Sequence, residues 1–590
     1  MHIESAFPLR APVGSTPFAT VISCRGSKAK IGFAIASGIP GARATVGQFI
    51  LVRQGKGGAV GMINEVSSGK AMASEGHEVV ADIDLMGEIV VDAGGRLGFD
   101  RGVRHYPAIG DQVELLPQDA LDLIQGSFAG PAIRVGSVAG DGTHPVSIDA
   151  DGLYAKHFAV MGSTGVGKSS GTAVILNALV AARPKVRILL LDVHNEYTHC
   201  FDRRASVIDA KTLRLPFWLF NFDELTDAIY GGRPAVMEEL DILAELIPVA
   251  KSTYSALKSG AERTLLTRRQ TRQSGFTVDT PSPFLIQDLI KLIDERMGKL
   301  ENRATRMVHH RLMTRIETVR NDPRYAFMFE NANVGGDTMA QVLEQLFSVG
   351  TDRSGITLLK LAELPGEVVD AAVCVILRMA FEFGLWSDGG SPLLIVCEEA
   401  HRFASADPGS GFAPVRRILC RIAKEGRKYG VHLGLVTQRP AELDPTIVSQ
   451  CSSLFMMRMA NDRDQQLLRS AMADSAANLL NFLPSLGTGE VIAAGEAIAL
   501  PMRFAFDRLP ARQLPASDQI EARGGENGGF GAQDQVNRAI ERWRKASSVG
   551  AGAIGSLDES RGGQDTETGQ SAVNRALHAA LRNDVGSSRF

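Results

Sequence analysis

Apolar and polar positions along the chain fall into three regimes. From about Thr16 to Leu116, short apolar runs alternate with turn residues. Six strands are predicted there: Phe18–Cys24, Lys30–Ala34, Phe49–Val52, Ala59–Asn64, Glu78–Val90 and Gln112–Leu116. In the fifth, Val79, Ala81, Ile83 and Leu85 alternate with Val80, Asp82 and Asp84, the two-residue period of a half-buried strand. Gly55, Gly57, Gly58 and Gly95 punctuate the intervals. Short strands at this spacing predict a small closed β-barrel.

After a loop-rich connector ending near Gly152, the period changes. Phe158–Met161, Val186–Leu191, Leu393–Cys397 and His432–Thr437 are short apolar runs followed by polar residues. Buried strands interleaved with helices predict an α/β core with a largely parallel sheet covered on both faces. Residues 221–345 interrupt it with a charged, helical pattern, in which Ile286, Leu289, Ile290 and Ile293 carry the helical spacing. Beyond about Gln513 the chain turns rich in Gly and Ser, including Gly524–Gly531. Two helical islands there, Val536–Ala546 and Val573–Val585, share the tetrapeptide Val-Asn-Arg-Ala. The expected organisation is a barrel over 1–118, a linker over 119–150, and a core over 151–220 and 346–510. A helical insertion over 221–345 splits that core, and a tail follows over 511–590. The tail has too few apolar residues for a core, so it is expected to be dispensable for folding or to dock on a neighbour.

Composition narrows the class. A chain of 590 residues has room for several domains. With 44% hydrophobic and 22% charged residues it reads as globular, which excludes wholesale disorder, collagen and a coiled coil. No apolar run approaches the ~18 residues of a membrane span, and Met1 to Thr20 lacks the layout of a secretory signal. Six scattered cysteines without a CxxC pair fit reduced, mostly buried thiols rather than disulfides or a zinc site. The expectation is a cytoplasmic protein with no membrane partner. A net charge of −3 argues against a globally basic nucleic-acid coat, although a local surface depends only on distribution. Between Lys251 and Arg320, fourteen Lys/Arg face seven Asp/Glu. Arg296, Lys299, Arg303 and Arg306 recur at three- and four-residue spacing, which predicts one cationic helix face. Such a stripe can track phosphates, and more often is simply a solvated face.

The strongest chemical signal is Gly162, Ser163, Thr164, Gly165, Val166, Gly167, Lys168 and Ser169, with Ser170 after it. This run matches the phosphate-binding pattern G-x-x-x-x-G-K-[ST] and lies between a strand and an apolar-periodic segment, Thr172–Ala182. Its glycines let backbone N–H groups and a helix N-terminus face the phosphates of ATP. Lys168 would neutralise the β- and γ-phosphates, and the Ser169 hydroxyl would ligate Mg2+. At the end of Leu393–Cys397 stand Glu398 and Glu399. Glu398 is expected to hold Mg2+ through water, and Glu399 to orient and deprotonate the attacking water. Taken alone, an acidic pair opening a helix is explained as well by the helix dipole. Gln438, after Thr437 and before Arg439-Pro440, is an amide placed to contact γ-phosphate and lytic water. Asp192 ends another strand, with His194, Asn195, Glu196 and Tyr197 crowded behind it and no ligand-spaced partner for the histidine. Lys424 to Gly430 gathers cations, of which Arg427 is the candidate for the γ-phosphate, often reached from a neighbouring subunit. A solvated charge cluster at a helix end is the plainer reading of that segment taken alone.

As an ordered set these stretches resemble the HerA family of hexameric DNA-translocating ATPases, in the FtsK–HerA branch of RecA-like motors. The resemblance spans about Thr16 to Arg508. It rests on His157 to Gly165, Leu191 to Tyr197, Leu215-Pro216-Phe217-Trp218-Leu219, Glu398 to Phe403, Glu425 to Gly430 and Thr437 to Pro440. It implies a RecA-like core with an N-terminal barrel, a homohexameric ring with DNA in its pore, and ATP sites between subunits. It also implies the roles above for Lys168, Glu399, Gln438 and Arg427. A nuclease, or in bacterial relatives a sirtuin-type effector in phage defence, would dock at the barrel face. The Gly-rich tail departs from the short C-terminal brace of the family. Two other readings use the same core: a nucleotide-gated scaffold ring organising an effector, and a conjugation or secretion ATPase. The barrel and the missing membrane anchors count against the latter.

Overall fold

The computed structural model describes residues 18–516, together with Asn537 and Ile540. Residues 34–44, 69–78, 93, 139–143, 259–274, 331, 333–335, 350–354, 363, 365, 408, 410 and 473–476 are excepted. Chain contacts divide it into Met1–Asn527 and Gly528–Phe590. Gly524–Gly531 and the second helical island lie outside the described residues. Of the first island, Asn537 and Ile540 are described, and both are helical.

Seven strands make the N-terminal sheet: β1 (Ala19–Arg25), β2 (Lys28–Phe33), β3 (Phe49–Gln54), β4 (Gly57–Ser68), β5 (Val79–Val91), β6 (Leu97–Arg101) and β7 (Gln112–Leu115). Their order is β2-β1-β7-β3-β4-β5-β6, and a β2–β5 pairing closes six of them into an antiparallel barrel. β5 does double duty along one edge. Val79–Asp84 pairs with β2 and closes the barrel, while Gly87–Val91 pairs with β6. Gly87 permits this, because a Cβ there would lie 2.4 Å from the Phe99 ring. Two irregularities in β4, at Val60/Gly61 and Ile63/Glu65, supply the bend that closure demands. Ile31, Ile50, Val52, Ile63, Ile83 and Val113 fill the interior. Leu51, Val60, Met62, Met86 and Ile89 point the other way and join the main core. Burial on both faces explains the unbroken Ile50-Leu51-Val52 run. Polar links seat the barrel on that core: Asn478 Nδ2 donates to Asp84 Oδ2 at 2.8 Å, and Arg101 donates to the carbonyls of Glu496, at 2.9 Å, and Ile498.

The second sheet has eleven strands: β8 (Ala132–Val138), β9 (Pro145–Asp149), β10 (Phe158–Met161), β11 (Arg187–Asp192), β12 (Ala205–Ile208), β13 (Gly355–Lys360), β14 (Leu393–Cys397), β15 (Val431–Thr437), β16 (Ser453–Met457), β17 (Glu490–Gly495) and β18 (Met502–Phe506). They run β12-β13-β11-β14-β15-β10-β16-β17-β18-β8-β9. The first seven are parallel, and each joint from β16 onward is antiparallel. β10, β14 and β15 are buried along their whole length, which is why they read as continuous apolar runs.

Residues 119–150 differ from the expected linker. They complete a helix, Gln118–Gln125, and contribute β8 and β9 to the antiparallel edge of the large sheet. The glycines and exposed alternate positions of these edge strands hide the signal, since β8 buries only Ile133, Val135 and Gly136.

Residues 221–345 are helical, with Phe222–Tyr230, Met237–Lys258, Ile286–Gly298, Arg303–Asn321 and Met339–Phe347 as the main segments. Phe217 anchors them, with ring centroids 4.9 Å from Phe284 and 5.4 Å from Phe329. Arg378, on helix Gly366–Trp386, clamps the insertion to the core. It reaches both Glu224 oxygens at 3.0 and 2.8 Å and the Leu219 carbonyl at 2.6 Å. Breaking such a buried pair typically costs about 3–5 kcal/mol. The single cationic face expected of Arg296, Lys299, Arg303 and Arg306 is not formed. One helix ends at Gly298 and the next begins at Arg303, where the Asn302 side chain caps the Ala304 N–H at 2.8 Å. Arg296 is paired with Glu245. None of the six cysteines is in a disulfide; Cys200, Cys374 and Cys397 are buried. Among the described residues, no helix is long and apolar enough to cross a membrane.

Candidate active site

The glycine-rich loop follows β10. Gly162 has no room for a side chain, since a Cβ would stand 2.8 Å from Met457 Cβ and 3.0 Å from Val166 Cγ2. Gly165 and Gly167, at φ +71° and +95°, take the left-handed conformation that costs glycine little. The loop therefore curls and launches helix Lys168–Ala182, leaving the first N–H groups of that helix without intrahelical partners. Lys168 Nζ donates across the loop to the Ser163 carbonyl at 2.8 Å. From outside, the Gly489 N–H braces the Val166 carbonyl at 2.9 Å.

Two neighbouring strand ends converge on this loop. Glu398, buried at the end of β14, accepts from the N–H groups of Val193 and His194 at 3.0 and 3.4 Å. Burial, with the nearby charge of Asp192, raises its carboxyl well above the usual range. Glu399 sits in the left-handed region at φ +47°, a costly conformation for a side-chain-bearing residue that recurs at functional sites. Its Oε2 is 3.2 Å from His401 Nδ1, which is 3.1 Å from Thr437 Oγ1. Burial lowers the His401 imidazole below its ordinary value, with Glu399 opposing the shift. After β15, Gln438 Oε1 accepts from Thr164 Oγ1 at 2.5 Å. Loop, carboxylate and amide thus meet at the C-terminal ends of β10, β14 and β15.

The fourth wall is the Asp192–Tyr197 loop. Buried Asp192 accepts from the Glu196 and Tyr197 N–H groups, each at 3.0 Å, and Asn195 turns at φ +58° between them. This turn brings Glu196 back over the glycine-rich loop, where its Oε2 accepts from Ser169 Oγ at 2.5 Å. The Ala516 N–H holds the Glu196 carbonyl at 3.0 Å. Burial lowers the Lys168 ammonium, while Glu399, Glu196 and Glu398 act against that shift.

Residues 133–380 match the family model for the central domain of the helicase HerA. The chain is 26% identical over 507 residues to the DNA double-strand break repair helicase HerA of Pyrococcus furiosus, covering 80% of this chain and 83% of that protein. To the protein of the same name from Sulfolobus acidocaldarius it is 26% identical over 420 residues, 70% of this chain and 76% of the relative. The chain is similar to HerA-family helicases over most of its length. In keeping with that similarity it is an ATP-hydrolysing enzyme of the helicase and DNA-translocase class, built on an α/β core. Among solved structures, VirB4 of Thermoanaerobacter pseudethanolicus aligns over 65% of this chain and 97% of its own, at 14% identity and a TM-score of 0.44. The conjugative coupling protein TrwBdeltaN70 aligns over 67% and 92%, at 14% identity and 0.41. The HerA match begins at residue 133, inside β8, so it takes in the edge strands that the sequence reading assigned to a linker.

Magnesium–ATP fits the residues of this site. Three carboxyl groups, on Glu196, Glu398 and Glu399, act on one ammonium, on Lys168. Such a wall repels a bare polyphosphate and favours one that carries a divalent cation. Among the described residues, no group of three His, Cys, Asp or Glu side chains is arranged to hold a metal alone. That suits Mg2+, which commonly takes one or two protein groups and completes its shell with phosphates and water. Arg427 is the one predicted residue that does not join the others. It is exposed in the turn Gly426–Tyr429 that leads into β15, and its charge acts on His157 and His432. Those histidines stand at the starts of β10 and β15, whose far ends carry the loop and Gln438. Sequence reasoning gave no role to Glu196 or His401, although both lie in short polar runs immediately after apolar strands.

Proposed function

We propose that this chain is a HerA-family, ring-forming DNA translocase whose ATP sites are completed between subunits. The separation of Arg427 from Lys168, at opposite ends of the same strands, carries this reading. Within one chain Lys168 is the only cation among the proposed catalytic residues that meets the loop, and phosphoryl transfer gains from a second cation at the γ-phosphate. Residues Gly162 to Ser170 wrap the phosphates, Lys168 neutralises them, and Ser169 with Glu398 holds Mg2+, directly and through water respectively. When bound, that ion neutralises phosphate charge. Glu399 orients the attacking water and accepts its proton, with His401 and Thr437 fixing the carboxylate. The Gln438 amide contacts the water and γ-phosphate. Arg427 of one subunit stabilises charge at the γ-phosphate of the next.

A homohexamer with DNA in its pore follows from the family reading, and the repair-helicase names of the relatives support DNA as the polymer moved. An effector, a nuclease or a sirtuin-type enzyme, would dock at the barrel, placing the chain in DNA end processing or phage defence. Tyr106 and Ile109, 56% and 77% exposed between β6 and β7, offer apolar anchors for it.

The test is ATP turnover with and without duplex and single-stranded DNA, across protein concentration. Turnover per chain should rise with concentration until rings are complete, and DNA should stimulate it; failure of DNA to do so would favour a scaffold ring. Lys168→Ala should lose nucleotide binding, while Glu399→Gln and Arg427→Ala should bind nucleotide and lose most turnover. Mixing Lys168→Ala with Arg427→Ala should restore part of the activity, because some interfaces then hold an intact loop and an intact arginine. Full activity of Arg427→Ala, or concentration-independent activity of a proven monomer, overturns the shared site.

A further inference from the structure

We infer that Glu196 is the positioning residue of the metal site: it accepts the hydrogen bond of the Ser169 hydroxyl and so turns the oxygen lone pairs toward the nucleotide-bound Mg2+. This rests on reading Gly162 to Ser170 as a Mg2+–nucleotide loop. A serine hydroxyl has one hydrogen and two lone pairs, so a hydroxyl that ligates a cation must send its hydrogen elsewhere. The Glu196 carboxylate at 2.5 Å is the acceptor.

The carboxylate expected at the metal from sequence, Glu398, spends Oε2 on the N–H groups of Val193 and His194. Those bonds hold the loop that presents Glu196. Glu196 is fixed on both sides of its backbone, by Asp192 Oδ1 on its N–H and by the Ala516 N–H on its carbonyl. The left-handed Asn195 supplies the reversal between Asp192 and Glu196. A carboxylate held this firmly against a ligand orients it, and loss of such an outer partner typically weakens metal affinity about 10–100-fold.

The test uses the full chain and a fluorescent ATP analogue, read by binding rather than turnover. In EDTA, Glu196→Ala should bind the nucleotide at least as tightly as the wild type does, since one carboxylate that repels bare phosphate is gone. Titrating Mg2+ into the complex should give a half-saturation point about ten-fold or more higher than wild type. Glu196→Gln keeps an oxygen acceptor for the hydroxyl, so it should stay closer to wild type than Glu196→Ala. An unchanged or lower Mg2+ requirement in Glu196→Ala overturns the inference. So does a glutamine variant as weak as the alanine one, or an equal loss of nucleotide binding with and without Mg2+. Lys168→Ala separates the role of the loop from that of Glu196. Retained nucleotide binding in that variant would sink the reading of the loop itself, whereas its loss beside a wild-type Mg2+ requirement in Glu196→Ala would sink only the role of Glu196.

Discussion

Gln438 and Thr164 are bonded side chain to side chain, Oγ1 to Oε1 at 2.5 Å, so the end of β15 is tied to the phosphate loop that follows β10. Those two strands are neighbours in register, with Met161 opposite Thr437. A shift at the loop is therefore passed to the next strand end without an intervening element. The bond also fixes the carbonyl side of the Gln438 amide, leaving its NH2 group free to donate toward a phosphate.

If Gln438 aligns the attacking water, Gln438→Ala should lower kcat about 10–100-fold, roughly 1.4–2.8 kcal/mol in the barrier, with nucleotide affinity largely kept. Thr164→Val should cost less, since it only releases the amide. Because the two side chains act as one unit, the double variant should be no slower than Gln438→Ala alone. Steady-state turnover and nucleotide titration of the three variants check this. Effects that multiply independently would show that the bond does not serve catalysis.

Acid should loosen the sheet from its other end. Burial holds the His157 and His432 imidazoles down at about 4, with Arg427 adding to both shifts and His157 adding to that of His432. Their rings lie 6.1 Å apart, and His157 Nδ1 accepts from the Leu433 N–H at 2.9 Å, which needs a neutral ring. In the unfolded chain a histidine takes its proton near 6.5. Between pH 4 and 6.5 the unfolded state therefore binds more protons, and stability falls as pH drops through that window. For one such imidazole the full loss is on the order of 3 kcal/mol. His432→Leu should flatten this dependence in urea midpoints measured from pH 7 to 4.5. A variant that tracks the wild type across the window would refute the assignment.

Legibility in the sequence followed burial. β10 and β14 coincide with their predicted runs, Phe158–Met161 and Leu393–Cys397, because a strand covered on both faces is apolar at every position. β13 and β16 are buried as well, yet Gly355-Ile356-Thr357 and Ser453-Leu454 dilute their apolar signal, and neither precedes a recognisable motif. The edge strands β8 and β9 passed for a linker because half their positions face outward. At the candidate site, type and spacing pointed to the loop, Glu399 and Gln438, and these groups do come together at the strand ends. Glu196 was visible only as part of a crowd, since its contact with Ser169 depends on a left-handed Asn195 that no spacing rule specifies. The cationic stripe failed for the opposite reason: its periodicity runs on through Gly298 and Asn302, which end one helix and cap the next.

The described chain continues past the expected core boundary in a way that matters for the site. After β18, the turn Ala511–Gln513 places Gln513 Nε2 2.5 Å from Asp202 Oδ2 and Arg512 3.8 Å from the same oxygen. Pro515 is buried, and the Ala516 N–H then caps the Glu196 carbonyl. The sequence alone suggested that truncation after Pro510 leaves thermal unfolding of the core nearly unchanged, because few apolar residues go with it. The contacts separate two cuts instead. Truncation after Ala516 keeps every one of these bonds, so thermal unfolding and Mg2+-dependent nucleotide binding of the core should match the full chain. Truncation after Pro510 removes the Ala516 cap and both side chains at Asp202. A lost hydrogen bond of this kind is worth about 1 kcal/mol, and the exposed ion pair about 0–1. The expected signature is accordingly modest for global stability and larger for the site, with Mg2+–nucleotide binding weakened about five-fold, the equivalent of that one bond. Differential scanning fluorimetry with paired nucleotide titrations distinguishes the two truncations. Identical nucleotide binding after both cuts would mean that Glu196 is held well enough by Asp192 alone.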